Sequence, residues 1–156
     1  MIQLKEVTPK NLKACLDLYD TLDDIQKKQV APNAVSLAQA YVHPNVAWPR
    51  VIVDDDLVVG FIMLELHPEE IPEYNRPGHY IWRMMIGKPY QNKGYGKQTL
   101  DLIKNKCQEE GLKSLYVSCT MTHDMPYQFY IHNGFVDTGY EEHGERYLKL
   151  LYDNKK

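Results

Sequence analysis

Apolar residues along this chain switch between two spacings, and each switch marks an element. Ile2–Val7 alternates apolar with polar residues and predicts a first strand, closed by Thr8-Pro9. Leu12, Cys15, Leu16 and Tyr19 then fall at three- and four-residue intervals, which predicts a helix over Asn11–Asp20. Thr21–Asn33 is polar, contains Pro32 and shows neither period. Ala34–Tyr41 predicts a second short helix that stops before Pro44. Val46–Val53 and Leu57–Leu66 predict a hairpin turning at Asp54-Asp55-Asp56, three acids that read as a solvated turn. Gly60, inside the second of these strands, marks a bulge or a close backbone approach. His67–Gly78 is a proline-broken loop that carries Glu69, Glu70 and Glu73.

The second half alternates. Tyr80–Ile86 is short, apolar and aromatic between Gly78 and Gly87, and predicts a mostly buried fourth strand. Leu100, Ile103 and Cys107 give one apolar face to a helix that Gly111 stops, with Lys97, Asp101 and Lys104 on the other. Leu115–Cys119 is a fifth strand, and Met125–Asn133 a helix capped by Gly134. Phe135–Tyr140 and Arg146–Leu151 are two last strands, turning at His143-Gly144. The order β-α-α-β-β-β-α-β-α-β-β implies an α/β fold with a mixed sheet and helices packed on it. Nothing splits the chain, so residues 1–156 read as one domain.

The stretch Gln91-Asn92-Lys93-Gly94-Tyr95-Gly96-Lys97 joins the fourth strand to the longest helix. A helix start offers unpaired N–H groups and partial positive charge, which suits an anion. Gly94 and Gly96 let it approach the backbone, and Lys93 and Lys97 add charge, so the loop reads as a pyrophosphate cradle. It lacks the Gly-Lys-Ser/Thr ending of a P-loop, and Thr99 stands where Gly-x-Gly-x-x-Gly needs its third glycine, which disfavours nucleotide-binding dehydrogenases and P-loop enzymes. Taken alone, an ordinary strand–helix turn with two glycines fits the loop as well.

Composition narrows the field. A 44% hydrophobic and 25% charged chain is ordinary for a water-soluble domain, and no apolar run approaches a membrane span. The N-terminus lacks a signal-peptide pattern, so a cytoplasmic protein is expected. Cys15, Cys107 and Cys119 are scattered and unpaired in sequence, and read as reduced core residues. A net charge of −3 points away from nucleic acid. No metal-ligand spacing appears.

Two motifs resemble the Gcn5-related N-acetyltransferases (GNAT), and the resemblance covers nearly the whole chain. Gln91-x-x-Gly94-x-Gly96 after the fourth strand is similar to that family's acyl-CoA pyrophosphate signature. Phe129-Tyr130-Ile131-His132-Asn133-Gly134-Phe135 is similar to its tyrosine-then-Gly-Phe ending of the last helix. The wording Ile81-Trp82-Arg83-Met84-Met85-Ile86 resembles the spermidine and spermine acetyltransferase branch.

The resemblance implies acetyl-CoA as co-substrate, no metal, and a small-molecule amine as partner, most nearly a polyamine such as spermidine or spermine. Met84, Met85 and Ile86 would pair with the pantetheine arm, and the amides of Asn92, Lys93, Gly94, Tyr95, Gly96 and Lys97, behind Gln91, would hold the pyrophosphate. Tyr130 would protonate the departing thiolate after direct attack by the amine. Where the family commonly has Asn and Ala, this chain has His123 and Pro126; His123 would meet the pantetheine or substrate, or is a plain loop histidine. Some polyamine acetylases carry acids where Trp82 and Arg83 stand, so the carboxylate base must come from elsewhere. Candidates for base or amine binding are Asp23, Asp24, Glu65, Glu69, Glu70 and Glu73. The alternatives are an aminoglycoside, amino acid, protein N-terminus or lysine as acceptor, or a non-catalytic acyl-CoA-binding regulator. Family members often form homodimers, though the sequence shows no self-complementary face.

Overall fold

The computed structural model of the chain describes residues 1–68, 77–121 and 124–152, and the side chains of all of these except Asp124 and Met125. Its elements run β1 (Ile2–Lys5), α1 (Leu12–Asp20), α2 (Asp24–Lys27), α3 (Asn33–Val42), β2 (Ala47–Asp54), β3 (Leu57–Glu65), β4 (Gly78–Ile86), α4 (Tyr95–Glu109), β5 (Ser114–Thr120), α5 (Asp124–His132), β6 (Val136–Glu142) and β7 (Glu145–Leu151). The expected elements are present with ends shifted by a residue or two. The addition is α2, in the stretch that shows no period. Four residues are too few for one, and α2 is held instead by a reciprocal cap between Asp23 and Gln26.

The seven strands form one sheet in the order β1-β2-β3-β4-β5-β7-β6. Neighbours are antiparallel except β4 and β5, which are parallel because α4 carries the chain back across the sheet. Leu100, Ile103 and Cys107 of α4 and Tyr130 of α5 pack on one face, over Ile62, Leu64, Ile81, Leu115 and Val117. Cys15 and Leu18 of α1 pack on the other, over Val51, Phe61, Met63 and Met85. No helix among the described residues is long and apolar enough to cross a membrane.

Two irregularities shape the centre of the sheet. Ile52 pairs with Gly60 but Val53 with Val58, so β3 bulges at Val59. A Cβ on Gly60 would lie 2.6 Å from the Met85 carbonyl oxygen, so the bulge and the close approach expected at this glycine both occur. In β4, Arg83 faces Met63 and Ile81 faces Leu64, which leaves Trp82 as an extra residue. Parallel pairing of β4 with β5 then stops at Ile81–Val117, although β4 runs on to Ile86 and β5 stays paired with β7 as far as Thr120. The two strands diverge at mid-sheet and leave a backbone edge of β4 without a strand partner.

Candidate active site

The divergence opens into a cavity of about 770 Å³. Residues 80–86 of β4, 117–120 of β5, the 26–32 segment after the α1 end, Gln91, Pro126, Tyr130 and Glu145 line it. Met84, Met85, Ile86, Gln91 and Tyr130, five of the residues singled out in the sequence, are therefore brought to one place.

The glycine loop lies at one end. From Gly87 the chain makes a 3-10 turn over Lys88–Tyr90, passes Asn92 at φ 63° and Gly94 at φ 89°, and enters α4 at Tyr95. Glycine suits position 94, where any Cβ would strain the left-handed backbone. No side chain caps α4, so its first-turn N–H groups keep their hydrogen-bonding capacity for an outside acceptor. Gly96 serves packing instead: a Cβ there would meet the Phe129 ring at 3.0 Å, which lets α4 and α5 approach closely. Lys93 and Lys97 are exposed beside this turn, and Lys97 pairs with Asp101 at 3.2 Å. Gln91 braces the loop: its Nε2 donates to the Ile86 carbonyl at 2.9 Å, and its Oε1 accepts from Gln26 Nε2 at 3.0 Å. The loop thus fits a pyrophosphate, and the unpaired β4 edge fits an extended amide-bearing arm.

Tyr130 is buried near the end of α5, edge-on to Phe129 and Phe135, with its hydroxyl 3.8 Å from Met84 Sδ. The chain folds back here, since the N–H groups of both Asn133 and Phe135 donate to the Tyr130 carbonyl. Burial pushes the phenol far above its ordinary value, helped by Cys119 and Tyr80, so it is held as a proton donor. Cys119 also lines the cavity, and burial pushes its thiol up to about 11, too high for a nucleophilic thiolate at neutral pH.

The remaining wall is polar. Ser118 donates to Glu145 Oε1, and Tyr80 lies 2.5 Å from Ser118 Oγ. Tyr80 stacks on Tyr147, with ring centres 6.3 Å apart. Arg83 reaches over Trp82, donates to the Trp82 carbonyl and to Gln39 Oε1, and makes no ion pair among the described residues. Lys27 and Lys28 also line the cavity.

The acids named from the sequence are placed elsewhere. Asp23 caps α2 and pairs with Lys88 at 3.2 Å, and Asp24 is an exposed first-turn residue. Glu65 lies opposite Tyr80 in the β3–β4 register but is not among the residues lining the cavity. Glu69, Glu70, Glu73 and His123 lie outside the described residues. Among the described residues, the acid that does line the cavity is Glu145, which sequence reasoning passed over. Its only signal is its place after the His143-Gly144 turn, and nothing local says that β7 lies beside β5. No cluster of metal-ligating side chains occurs among the described residues.

Comparison with known proteins bears on the family and the fold. A model of the acetyltransferase (GNAT) family matches residues 14–135. A protein of Bacillus subtilis subsp. natto named as a probable spermine N(1)-acetyltransferase is 32% identical over 141 residues, covering 88% of this chain and 90% of that protein. Among solved structures, the PaiA N-acetyltransferase of Thermoplasma acidophilum in complex with coenzyme A superposes with a TM-score of 0.70 at 13% identity, covering 97% of this chain and 99% of that one. An acetyl transferase of Salmonella typhimurium that modifies the N-terminal serine of ribosomal protein L7/L12 gives a TM-score of 0.75 at 13% identity, covering 97% and 95%.

Proposed function

The chain belongs to the acetyltransferase (GNAT) family and uses acetyl-CoA, and from that premise we propose that it acetylates a primary amine of a small molecule, with polyamines as the first candidates. One observation carries the reading: the unpaired edge of β4 and the Tyr130 hydroxyl face the same cavity, with the uncapped start of α4 at its end. The first-turn amides of α4 and the loop over 92–97 would hold the pyrophosphate, and Met84, Met85 and Ile86 the pantetheine arm. Acetyl-CoA supplies the acetyl group as a thioester. The protein holds the amine beside it, which lowers the entropic barrier, and aims the β4 N–H groups where negative charge grows. Tyr130, kept protonated by burial, gives its proton to the leaving sulfur.

The polyamine choice is supported by the name of the Bacillus relative. A second acceptor class is favoured by the cavity itself. Arg83, Lys27 and Lys28 line it with Glu145 as the only acid among the described lining residues. That balance disfavours a multiply cationic ligand and favours an amine that also carries an acidic group, such as an amino acid.

Thiol release from acetyl-CoA is the direct test, with spermidine, spermine, free amino acids, an aminoglycoside and short peptides as acceptors. Turnover with spermidine or spermine supports the polyamine reading, and turnover confined to amino acids replaces it with the second. Thiol release only with peptides overturns the small-molecule reading altogether.

A further inference from the structure

Ser118 has one hydroxyl proton, and Ser118 donates it to Glu145 Oε1. The Tyr80–Ser118 contact at 2.5 Å therefore has Tyr80 as its donor. Every proton in the row points toward Glu145, and the phenolic oxygen of Tyr80 keeps a lone pair for a further donor. Tyr80 and Ser118 both line the cavity, and Tyr80 is near enough to Tyr130 to help raise its pKa. Side chains alternate along a strand, so Tyr80 and Ser118 point to the sheet face opposite Ile81, Val117 and Cys119. That is the face on which the 26–32 segment closes the cavity.

We propose that Glu145 is the general base of the transfer, reached from the acceptor ammonium through the hydroxyls of Tyr80 and Ser118. The proposal rests on the acetyl-transfer reading above. The ammonium donates to Tyr80. One N–H bond breaks, Tyr80 passes its proton to Ser118, Ser118 passes its own to Glu145, and one O–H bond forms on the carboxylate. Tyr80 and Ser118 each gain one proton and lose one, so both end as they began, and the free amine keeps the electron pair that attacks the acetyl carbon. Half-buried Glu145 returns its proton to water. Burial keeps Tyr80 a neutral phenol, suited to relay a proton rather than hold the charge. The groups around Glu145 are Arg83 and Tyr80 from β4, Ser118 and Cys119 from β5, and Glu142 across the β6–β7 hairpin, while Lys27 and Lys28 line the same cavity.

The test compares E145Q, S118A and Y80F with wild type in thiol release, from pH 6.5 to 10, with acetyl-CoA and the faster of spermidine or L-lysine as acceptor. Calorimetric affinity for acetyl-CoA equal to wild type shows that each variant is folded. An amine with a pKa near 10.4 is about one part in a thousand free base at pH 7.4, so a protein without its base must wait for that fraction. The expected loss is on the order of 100-fold or more at pH 7, shrinking close to tenfold per pH unit and nearly gone at pH 10. The E145Q/S118A double variant should be no slower than E145Q alone, because both cut one row. Should E145Q fail to fold, S118A and Y80F carry the same signature with Glu145 intact. A deficit that does not change with pH, or variants as fast as wild type, overturns the proposal while leaving acetyl transfer standing. Wild-type protein that releases no thiol with any amine removes the reading beneath it, and the proposal with it.

Discussion

The Tyr95 hydroxyl donates a 2.6 Å hydrogen bond to Asp54 Oδ2 and so ties the first turn of α4 to the β2–β3 hairpin. The same bond holds the Asp54 carboxyl below its ordinary range and the Tyr95 phenol above its own. Asp54 is therefore more than one of three solvated acids, because it fixes the turn on which the pyrophosphate is proposed to sit. Tyr95→Phe should weaken acetyl-CoA binding about three- to tenfold, the effect of one lost hydrogen bond, with little change in maximal rate. Calorimetric titration with acetyl-CoA checks this, and unchanged affinity would separate the turn from the cofactor.

Tyr130→Phe removes a buried hydroxyl whose hydrogen bond among the described residues is to a thioether sulfur. The ring packing on Phe129 and Phe135 survives, so the melting temperature should hold or rise slightly. Turnover should fall on the order of 100-fold as the proton donor is lost. A melting temperature drop with normal turnover would make Tyr130 a packing residue only.

Gly78 and Gly111 predict opposite outcomes for one substitution. A Cβ at Gly78 would lie 2.2 Å from the Ser114 carbonyl oxygen, inside the parallel β4–β5 pair, whereas Gly111 has open space and a φ of 76°. Gly78→Ala should destabilise by more than ~3 kcal/mol or prevent folding, and Gly111→Ala by ~1 kcal/mol. Urea unfolding of the two variants decides it.

His79 is buried with its Nε2 2.7 Å from Glu110 Oε1, while its Nδ1 accepts from the His67 N–H, so the neutral ring suits both contacts. Burial depresses its pKa, against the pull of Glu110. A depressed histidine leaves the unfolded chain binding more protons, so its contribution is complete above the unfolded value near 6.5 and is lost as pH falls through that value toward the folded one. Melting temperature should decline from pH 6.5 to 5 more steeply in wild type than in His79→Gln. Parallel curves would mean that another group sets the slope.

All three cysteines are buried, and burial pushes their thiols up to about 12 for Cys15 and about 11 for Cys107 and Cys119. Ellman's reagent at pH 7.5 should find almost no reactive thiol in the folded protein and three in guanidinium. Cys119→Ala should retain turnover within a few-fold. A fast-reacting Cys119 would reopen a covalent route.

Much of the fold was legible because local signals carried it. Gly111 and Gly134 do adopt left-handed backbone at the ends of α4 and α5, and the stripe Leu100, Ile103, Cys107 is the buried one. The loop proposed to hold the cofactor was legible as a strand–loop–helix start, since it is contiguous in the chain. The acceptor wall was not. Tyr80, Ser118 and Glu145 come from three strands, and register between distant strands is set by packing that no local period records. Asp23 looked available and is spent on a helix cap, whereas Glu145 looked like a hairpin residue and faces the cavity.

The parting of β4 from β5 also bears on how such a protein changes over time. The proposed grip on the nucleotide end is built on α4 and its loop. The wall proposed to read the amine hangs from the far side of the sheet and from the 26–32 segment. The two meet across a gap between backbones, joined by Gln26 on Gln91, Thr21 on the Lys88 N–H and Asp23 on the Lys88 side chain. On this reading substitutions at Lys27, Lys28 or Arg83 should retune the choice of amine while leaving the proposed nucleotide grip intact, so that a new preference would be a few mutations away on an unchanged frame.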